Sequence, residues 1–401
     1  VNAQHDNPAT MRPSRHEFHA LAAQHTVVPV WAEVLGDLET PVAAYLKLVG
    51  DGDGFLLESV EHAERWARYS FVGHDPVATL ELRDGLIEIK GQHLSADIPL
   101  DQGMLAALDA IIAAYRAPII PDLPPLQGGV MGYLGYDTIR EVEHLPHVPH
   151  DDRGFPDAVM SIIGSLAAFD HWRQRVYLIE SVPVLDMNTE AIDREYDEAC
   201  VRVQRAVDKL SQPLSSPAAE PPQLGEAAPE VRSSMADGVY QQAVEVAKEH
   251  ILAGDIFQVV LAQRYDIDLQ ADPFDFYRVL RQVNPSPYMY FLRHPDITIA
   301  GSSPEPMVKV LGRTVVSRPI AGTRRRGRTD DDDRRMAGEL KENPKEVAEH
   351  IMLVDLARND VGRVAEFGTV QVSELMSLER YSHVMHLTSQ VTGELVQGKT
   401  P

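Results

Sequence analysis

Cysteine is almost absent from this chain. Cys200 is the only one in 401 residues, so the sequence excludes an intrachain disulfide and a metal cluster held by several thiolates. It lies in the acidic segment 195–201, where neighbouring carboxylates oppose formation of a thiolate. We therefore interpret Cys200 as a spectator and not as a nucleophile.

Long apolar runs and positive charge are also scarce. No segment approaches the roughly 20 consecutive apolar residues of a membrane helix, and residues 1–6 lack the basic start and apolar centre of a secretion signal. Sixty acidic side chains against 37 basic ones give a formal charge of −23, which repels nucleic acid and anionic lipid. We expect a cytoplasmic protein that binds neither, and any anionic substrate requires a locally positive site.

Proline is concentrated in one stretch. Residues 211–230 contain five prolines among Ser, Ala, Gln and Glu, a composition that buries too little apolar surface to order itself. We place a linker there, between an N-terminal lobe at 14–210 and a C-terminal lobe at 231–401. Residues 1–13 have no periodicity and are expected to form a disordered tail.

Strand-like and helical segments alternate along both lobes. Asp84-Gly85 is typical of a tight turn between two strands, and Gly254 of a helix C-terminus. The mixture predicts a two-lobed α+β fold with a composite antiparallel β core flanked by helices. The expected strands are 71–72, 78–82, 86–90, 161–169, 175–179, 256–267, 288–292, 297–300, 307–311 and 314–317, and the expected helices are 190–210, 239–253 and 273–283.

A further helix is predicted to begin at Asn343-Pro344-Lys345-Glu346, where Asn caps the first turn, Pro occupies its first position and Glu346 can reach back. It is expected to end before Gly362. Glu349 shares a face with Leu353 and Leu356, so its carboxylate lies near the buried stripe. Two interpretations are open: a salt bridge to Arg358, or a ligand for a hard cation such as Mg²⁺.

Three other segments have candidate chemistry. Residues 319–323 form a small-residue turn after a strand, where backbone N–H groups are exposed, and a run of arginines follows that is interpreted mainly as a solvated face. His383 and His386 lie in a strand-like segment, where they are either core residues or a general acid or base. Glu305 follows a strand end, as a surface carboxylate or as an acid whose pKa burial would raise.

Taken in order, the blocks 301–305, 319–323, 343–360 and 383–387 resemble the catalytic half of the chorismate-utilising enzymes. The resemblance spans about residue 18 to 401 and includes the glycine-rich segment 128–137, interpreted as structural. It implies that Ala321, Gly322 and Thr323 line the chorismate pocket and that Glu349 binds Mg²⁺. It also implies that Glu305 lies beside the ring hydroxyl and that His386, not His383, is the catalytic histidine.

Two positions distinguish members of this family by the group that attacks the ring. Aminodeoxychorismate synthases of many bacteria have a nucleophilic lysine where Ala321 stands, and isochorismate and salicylate synthases have a water-activating lysine where Gln258 stands. Alanine forms no covalent adduct and glutamine is no base. The resemblance therefore implies ammonia as the nucleophile, and hence the anthranilate-forming members; an aminodeoxychorismate synthase is the weaker alternative.

Two further expectations concern ligands and partners. Leu57, Glu58 and Ser59, with Pro287, Tyr288 and Met289, resemble the two segments that bind tryptophan as feedback inhibitor in the anthranilate-forming members. No Gly-x-Cys-x-Gly elbow is present in the sequence, so ammonia is expected from a separate glutamine amidotransferase subunit.

The family's pattern continues beyond Pro401 into a second metal ligand and a glycine-rich carboxylate clamp. The C-terminal portion is therefore expected to be missing, with little turnover by these 401 residues alone. The alternative function is an inactive fragment that retains tryptophan or amidotransferase binding.

Overall fold

The computed structural model describes residues 9–59, 68–92, 94, 97–214, 216, 229–381 and 383–401. Contacts divide the chain into a larger unit, Val1–Pro217 with Leu280–Pro401, and a smaller unit, Ala218–Val279. All strand pairs within the described ranges are antiparallel, and helices accompany them, so the predicted α+β class with an antiparallel core is confirmed. No helix in those ranges is long and apolar enough to cross a membrane.

The largest sheet has seven strands and belongs to the larger unit. Its neighbours run in the order β1 (Val27–Leu35), β9 (Arg175–Pro183), β8 (Ser165–Asp170), β3 (Tyr69–His74), β2 (Gly54–Glu58), β12 (Tyr288–His294) and β13 (Ile297–Ser303). The last two strands come from far along the sequence. They complete a sheet made otherwise of N-terminal strands, which differs from the expected division into lobes at 14–210 and 231–401.

A second sheet packs in the same unit, in the order β5 (Leu86–Gly91), β4 (Ala78–Arg83), β7 (Ala158–Ile162) and β6 (Val130–Leu134). The Asp84-Gly85 turn joins β4 to β5 with φ values of 50° and 76°, as the sequence predicts for a hairpin. The expected single strand 161–169 is wrong. The chain leaves β7 at Ile162, turns at Ile163-Gly164, and enters the seven-stranded sheet at Ser165.

The third sheet of the larger unit follows β13 in sequence. Its strands are β14 (Lys309–Leu311), β15 (Thr314–Ser317), β16 (Ile320–Arg325), β17 (Gln371–Arg380) and β18 (Val384–Glu394). β18 lies between β16 and β17, since Leu387 pairs with Ala321 on one and Leu378 on the other. Apolar side chains of β15 and β18, including Val315 and Val391, pack against the last of the helices to form a core of this sheet.

Helices occur in both units. Their bounds are α1 (Arg15–Ala22), α2 (Pro41–Leu48), α3 (Met104–Ala114), α4 (Thr189–Leu210), α5 (Val239–Ala253), α6 (Pro273–Val283), α7 (Asp330–Glu342) and α8 (Pro344–Gly362), with a 3₁₀ helix at Tyr136–Glu141. The predicted α4, α5 and α6 are confirmed, and Gly254 ends α5 with φ +83°. α7 is not predicted by the sequence analysis.

The start of α8 is confirmed, because the Asn343 side chain accepts from the N–H groups of Lys345 and Glu346. Its predicted end is wrong, since Gly362 is still helical. The Glu346 side chain contacts Arg324 at 3.0 Å, so its carboxylate is used in an ion pair between α8 and β16.

Two other expectations differ from the structure, and a third falls mostly outside the described residues. The predicted strand 256–267 is wrong except at its end, where β11 (Tyr265–Ile267) pairs with β10 (Val231–Ser233) in the smaller unit. The backbone N–H of Arg12 donates to the carbonyl of Trp31, and the N–H of Trp31 donates to the carbonyl of Arg12. The described part of the tail, 9–13, is therefore attached to β1. Most of the expected linker, 211–230, lies outside the described residues.

Candidate active site

The 319–323 turn is built by a bulge in the pairing of β16 with β18. Ala321 pairs with Leu387 and Thr323 pairs with His386, so Gly322 is the extra residue on β16. Its φ is +79°, a conformation that favours glycine. A Cβ there would lie 3.1 Å from Leu340 Cδ1 of α7 and 3.2 Å from Glu346 Oε2 of α8. Glycine is therefore required both by the backbone and by the close approach of two helices.

The bulge brings two of the predicted site residues together. Oγ1 of Thr323 lies 3.0 Å from Nδ1 of His386, and the carbonyl oxygen of Gly322 lies 3.3 Å from the same nitrogen. A carbonyl only accepts, so Nδ1 carries the proton and Nε2 is left as the basic nitrogen of the neutral ring. Burial lowers the pKa of His386 below its ordinary value, against the opposing effects of Gly322 and Glu379. The imidazole is therefore neutral, and suited to accept a proton, near pH 7.

The carboxyl group of Glu305 lies at the start of β16. Its Oε1 accepts from the N–H of Ile320 at 3.0 Å, which ties the loop after β13 to the strand that continues into the Gly322 bulge. The residue as a whole is exposed, but its carboxyl group is turned onto the protein. The resulting loss of hydration raises the pKa of Glu305, and the Ile320 N–H partly offsets the shift. A carboxyl in this state holds its proton to a higher pH than an ordinary glutamate.

A cavity of about 400 Å³, the Glu305 cavity, lies between this loop and α8. Leu353, Leu356 and Asp360 line it from the helix, and Arg318 lines it beside Pro319. Glu349 precedes Leu353 by one turn on the same helical face, at the end of α8 that contacts the Gly322 bulge through Glu346. Thr323 and His386 lie further along β16 and β18 and are not lining residues of this cavity.

One interpretation of Glu349 is a salt bridge to Arg358. Arg358 pairs with Asp355 at 3.0 Å, on the exposed side of α8. Glu349 is half-buried, with interactions of its own. A half-buried helical carboxylate one turn from the Glu305 cavity has the oxygen chemistry that Mg²⁺ prefers, since this ion is typically held by one or two carboxylates plus water and substrate oxygens.

His350 is a residue of this region that the sequence analysis missed. It is 0% exposed, and its Nε2 lies 2.6 Å from Oγ of Ser389 on β18, which also accepts from the N–H of Met376 on β17. Burial lowers the pKa of His350. The pair fixes α8 to β18 one residue from Glu349 and three from His386. Its only signal in the sequence is a histidine in the apolar stripe of α8.

Two of the four arginines after the bulge are paired, whereas Arg325 and Arg328 are exposed, as expected for a solvated face. Arg324 pairs with Glu346, and Arg326 contacts Asp333 of α7 at 2.7 Å. Arg380 of β17 contacts the same carboxylate, and together these groups lower the pKa of Asp333 to about 2, with the Arg326 hydrogen bond as the largest cause. This cluster fixes α7 onto the sheet behind Gly322.

Gln258 belongs to the smaller unit, where it follows α5 in an exposed, irregular segment. Cys200 is half-buried on α4, and burial is the largest cause that raises the pKa of its thiol. This agrees with its interpretation as a spectator.

The two segments proposed for tryptophan are adjacent in the seven-stranded sheet. β2 pairs with β12 so that Glu58 lies opposite Met289 and Leu57 opposite Tyr290. Both carboxylate oxygens of Glu58 contact Arg281, at 2.7 and 2.8 Å. Oγ of Ser59 is buried and has no hydrogen-bond partner among the described residues.

A separate group has side chains of the kind that hold metals: Glu81, His294 and Asp296, whose ligand atoms lie within 4.8 Å of one another. Lys90 and Arg83 both contact Glu81, and Arg83 also contacts Asp296. Two cations already neutralise these carboxylates, so the cluster fits an ion-pair network that joins β4 to the β12–β13 turn.

Comparison with known proteins identifies the class. The sequence model of the chorismate binding enzyme family matches residues 57–401. The structure of anthranilate synthase component I from Streptococcus pneumoniae TIGR4 superposes with a TM-score of 0.69 at 32% identity, covering 92% of this chain and 77% of that one. MenF, the menaquinone-specific isochorismate synthase from Escherichia coli, shares the fold with a TM-score of 0.63 at 12% identity, over 96% of this chain and 76% of that one. The chain therefore belongs to the chorismate binding enzyme family.

Relatives within the family are more specific. Anthranilate synthase component 1 of Mycolicibacterium smegmatis is 42% identical over 394 residues, which are 96% of this chain and 74% of that protein. The component 1 protein of Mycobacterium tuberculosis H37Rv is 43% identical over 397 residues, 96% of this chain and 76% of that protein. The resemblance inferred from the four sequence blocks is thus confirmed, and it is with anthranilate synthase component 1 proteins.

Proposed function

We propose that this protein converts chorismate and ammonia to anthranilate and pyruvate, with Mg²⁺. The observation that carries the proposal is the meeting of Thr323 and His386 at the Gly322 bulge. It occurs on the strand whose start is bonded to Glu305 and beside the helix that bears Glu349. These residues were assigned to chorismate by resemblance alone, and they lie on two adjoining strands, one helix and the loop after β13.

The protonation states supported by the geometry divide the roles. Ammonia adds to the ring as the ring hydroxyl leaves; Glu305, whose pKa is raised, is the group we assign to give that hydroxyl a proton so that it departs as water. His386, neutral with its basic nitrogen at Nε2, is the group we assign to take the ring proton as the C–O bond breaks and enolpyruvate leaves. The enolpyruvate then takes up a proton at its methylene carbon to become pyruvate. The backbone of Ala321 and Gly322 and the Thr323 hydroxyl position the substrate.

Glu349 is the proposed magnesium ligand. When bound, the ion supplies positive charge that neutralises the substrate carboxylates. The chain has a formal net charge of −23, so an anionic substrate requires such a local positive charge. Ala321 and Gln258, in place of lysine, support ammonia as the nucleophile. The only cysteine is half-buried with a raised pKa, which supports a separate glutamine amidotransferase subunit as the source of ammonia.

Activity is tested on the protein expressed from its whole gene, with chorismate, ammonium and Mg²⁺, by following anthranilate fluorescence and identifying the product by chromatography. Glu349→Gln is expected to lower the rate about 100-fold or more, because it removes one carboxylate charge from the ion. Glu339→Gln is the matched control: it changes a glutamate on α7 that is paired only with exposed Arg335. Unchanged turnover in Glu349→Gln, or isochorismate or aminodeoxychorismate as product, would contradict the proposal.

We further propose that β2 and β12 form a regulatory tryptophan site, which inhibits the enzyme when occupied. The buried Ser59 hydroxyl, which has no hydrogen-bond partner among the described residues, is available to a ligand carboxylate, and Glu58 with Arg281 offers charges of both signs. Calorimetry with tryptophan is expected to show binding that Ser59→Ala weakens about 3- to 10-fold. Ser211→Ala, at the exposed end of α4, is the control. Equal affinity in both variants would contradict the site.

A further inference from the structure

An open cavity of about 390 Å³ lies at the end of the seven-stranded sheet where β1 begins and β9 ends. We call it the apolar cavity. It is formed where Pro29 of β1 and Pro183 of β9 meet the C-terminal half of α3 and the segment that leads into β6. Its volume lies within the range, about 300–1,000 Å³, of pockets that bind small molecules.

The lining of the apolar cavity has an unusual chemistry. No charged side chain lines it, and prolines contribute several of its walls: Pro29, Pro118, Pro125 and Pro183. Proline has no backbone N–H, so these walls also lack the donors that a loop of other residues would present. Isoleucines and valines of β1, α3, β6 and β7, and of the loops next to these elements, supply most of the remaining surface.

Tyr115, Gln127 and Ser181 are the lining residues with polar side chains. The Gln127 amide is bonded to the backbone of Ile120 through both its oxygen and its nitrogen, and Tyr115 has interactions of its own, which leaves the Ser181 hydroxyl. Ser181 of β9 lines the cavity, and its Oγ would lie 2.8 Å from a Cβ placed on Gly128, so the glycine leaves the space in front of the hydroxyl open. The N–H of Ser181 is bonded to Gly164, but its hydroxyl has no hydrogen-bond partner among the described residues. A hydroxyl left without a partner in an apolar pocket costs free energy, and a ligand group can recover it.

The apolar cavity is distinct from the sites proposed above. The position of Leu57, in the proposed tryptophan site, can be followed across the seven-stranded sheet through residues paired on neighbouring strands. This cross-strand row runs from Leu57 on β2 through Phe71, Ala168 and Tyr177 to Glu33 on β1. Ser181, the proposed contact of the ligand, lies four residues along β9 from Tyr177 of that row, about 13 Å at the rise of a β-strand, and β9 is three strands from β2 in the sheet. A doubly anionic substrate or a zwitterionic amino acid would have to leave its charges unpaired among the prolines.

We propose that the apolar cavity binds a neutral, largely apolar molecule of one or two fused rings that carries a single hydrogen-bonding group, received by the Ser181 hydroxyl. The ring system occupies the space between α3 and the proline walls, and its polar group replaces the missing partner of Ser181. Such a ligand contacts β9 of the seven-stranded sheet and β6 of the four-stranded sheet, the two sheets that meet at the cavity.

The test uses two neutral probes, 2-naphthol and naphthalene, with the protein as it exists and binding measured by calorimetry and probe fluorescence. Both probes are expected to bind with one site. Ile112 lines the cavity from α3 and is 58% exposed, so Ile112→Glu folds and places a charge at the opening, lowering affinity for both probes at least about 10-fold. Ala113→Glu, at the next exposed position of α3 and outside the lining, is expected to leave affinity unchanged.

Ser181→Ala separates the hydroxyl from the apolar walls. It is expected to weaken 2-naphthol about 3- to 10-fold while naphthalene binds as before. The proposal is overturned if neither probe binds, if Ile112→Glu and Ala113→Glu bind them equally, or if Ser181→Ala affects both probes alike. Displacement by saturating tryptophan or chorismate would also overturn it, since it would place the probes at another site. None of these readouts depends on anthranilate formation.

Discussion

Oγ1 of Thr323 lies 3.0 Å from Nδ1 of His386, although the two residues are 63 positions apart in the sequence. The contact depends on the bulge at Gly322, because an unbulged β16 would place Gly322 opposite His386 and turn the next side chain to the other face of the sheet. A single glycine thus decides whether the hydroxyl and the imidazole share one side of the sheet.

The first prediction concerns the hydroxyl of Thr323. Thr323→Val keeps the branched shape and removes one of the two groups that contact Nδ1, so that nitrogen keeps only its contact with the Gly322 carbonyl. We expect kcat/KM for chorismate to fall about 3- to 10-fold, the effect of one hydrogen bond. Thr323→Ser retains a hydroxyl and is expected to keep more of the activity than the valine variant. Steady-state kinetics decides, and equal rates in the two variants would contradict the role of the hydroxyl.

The second prediction concerns Gly322. Gly322→Ala is expected to destabilise the protein by about 1–2 kcal/mol, because alanine resists the left-handed conformation and its Cβ meets Leu340 and Glu346. Anthranilate formation is expected to fall further than stability explains, since the turn must shift. Gly338→Ala is the matched control on α7: nothing lies within 4 Å of its Cβ, and alanine favours a helix by about 1 kcal/mol. Urea denaturation with activity at low temperature compares them; equal behaviour would be evidence against strain at 322.

The sequence predicted those parts of the fold and site that depend on local signals. Asn343 and Pro344 predicted the start of α8 because a cap acts within one turn, and Asp84-Gly85 predicted a hairpin because both residues accept positive φ. α7 was missed because its first turn is Asp330–Asp333, an acidic run that suggests a solvated segment. The run is favourable at a helix N-terminus and supplies Asp333 to Arg326.

Long-range pairings could not be predicted in the same way. Nothing local in residues 288–303 indicates that they complete a sheet of N-terminal strands, since that register is fixed by contacts such as Glu58 with Met289. The order of the site blocks was enough for the family, whereas the bulge that joins Thr323 to His386 needed coordinates. The partnership of His350 with Ser389 was equally hidden, because each residue taken alone is an ordinary polar group in an apolar segment.

The third prediction concerns that partnership. Ser389 is 1% exposed, and Ser389→Ala leaves both Nε2 of His350 and the N–H of Met376 without their partner. A buried polar group without its partner costs about 1–3 kcal/mol, so a loss of at least that size in the free energy of unfolding is expected. Ser373→Ala, at an exposed position of β17, is expected to change stability by less than about 0.5 kcal/mol. Similar losses in the two variants, measured by urea denaturation, would contradict the buried pair.

The fourth prediction is a pH dependence of stability that comes from His350. Burial lowers its pKa in the folded protein, so the unfolded chain binds the proton more tightly. The contribution to stability is therefore fully present above the unfolded pKa of about 6.5, and is lost as the pH falls below that value towards the lowered folded pKa. Between pH 7.5 and 5.5 one such histidine reduces the free energy of unfolding by up to about 1.4 kcal/mol.

Variants separate this histidine from the other titrating groups. His350→Gln is expected to be less stable than the natural protein at pH 7.5 but to lose less on acidification, because the replaced group no longer takes up a proton on unfolding. His16→Gln, at an exposed position of α1, controls for the loss of a histidine as such. Urea denaturation at pH 7.5, 6.5 and 5.5 gives the slopes. A slope in His350→Gln as steep as in His16→Gln would show that the buried imidazole does not set the acid sensitivity of this sheet.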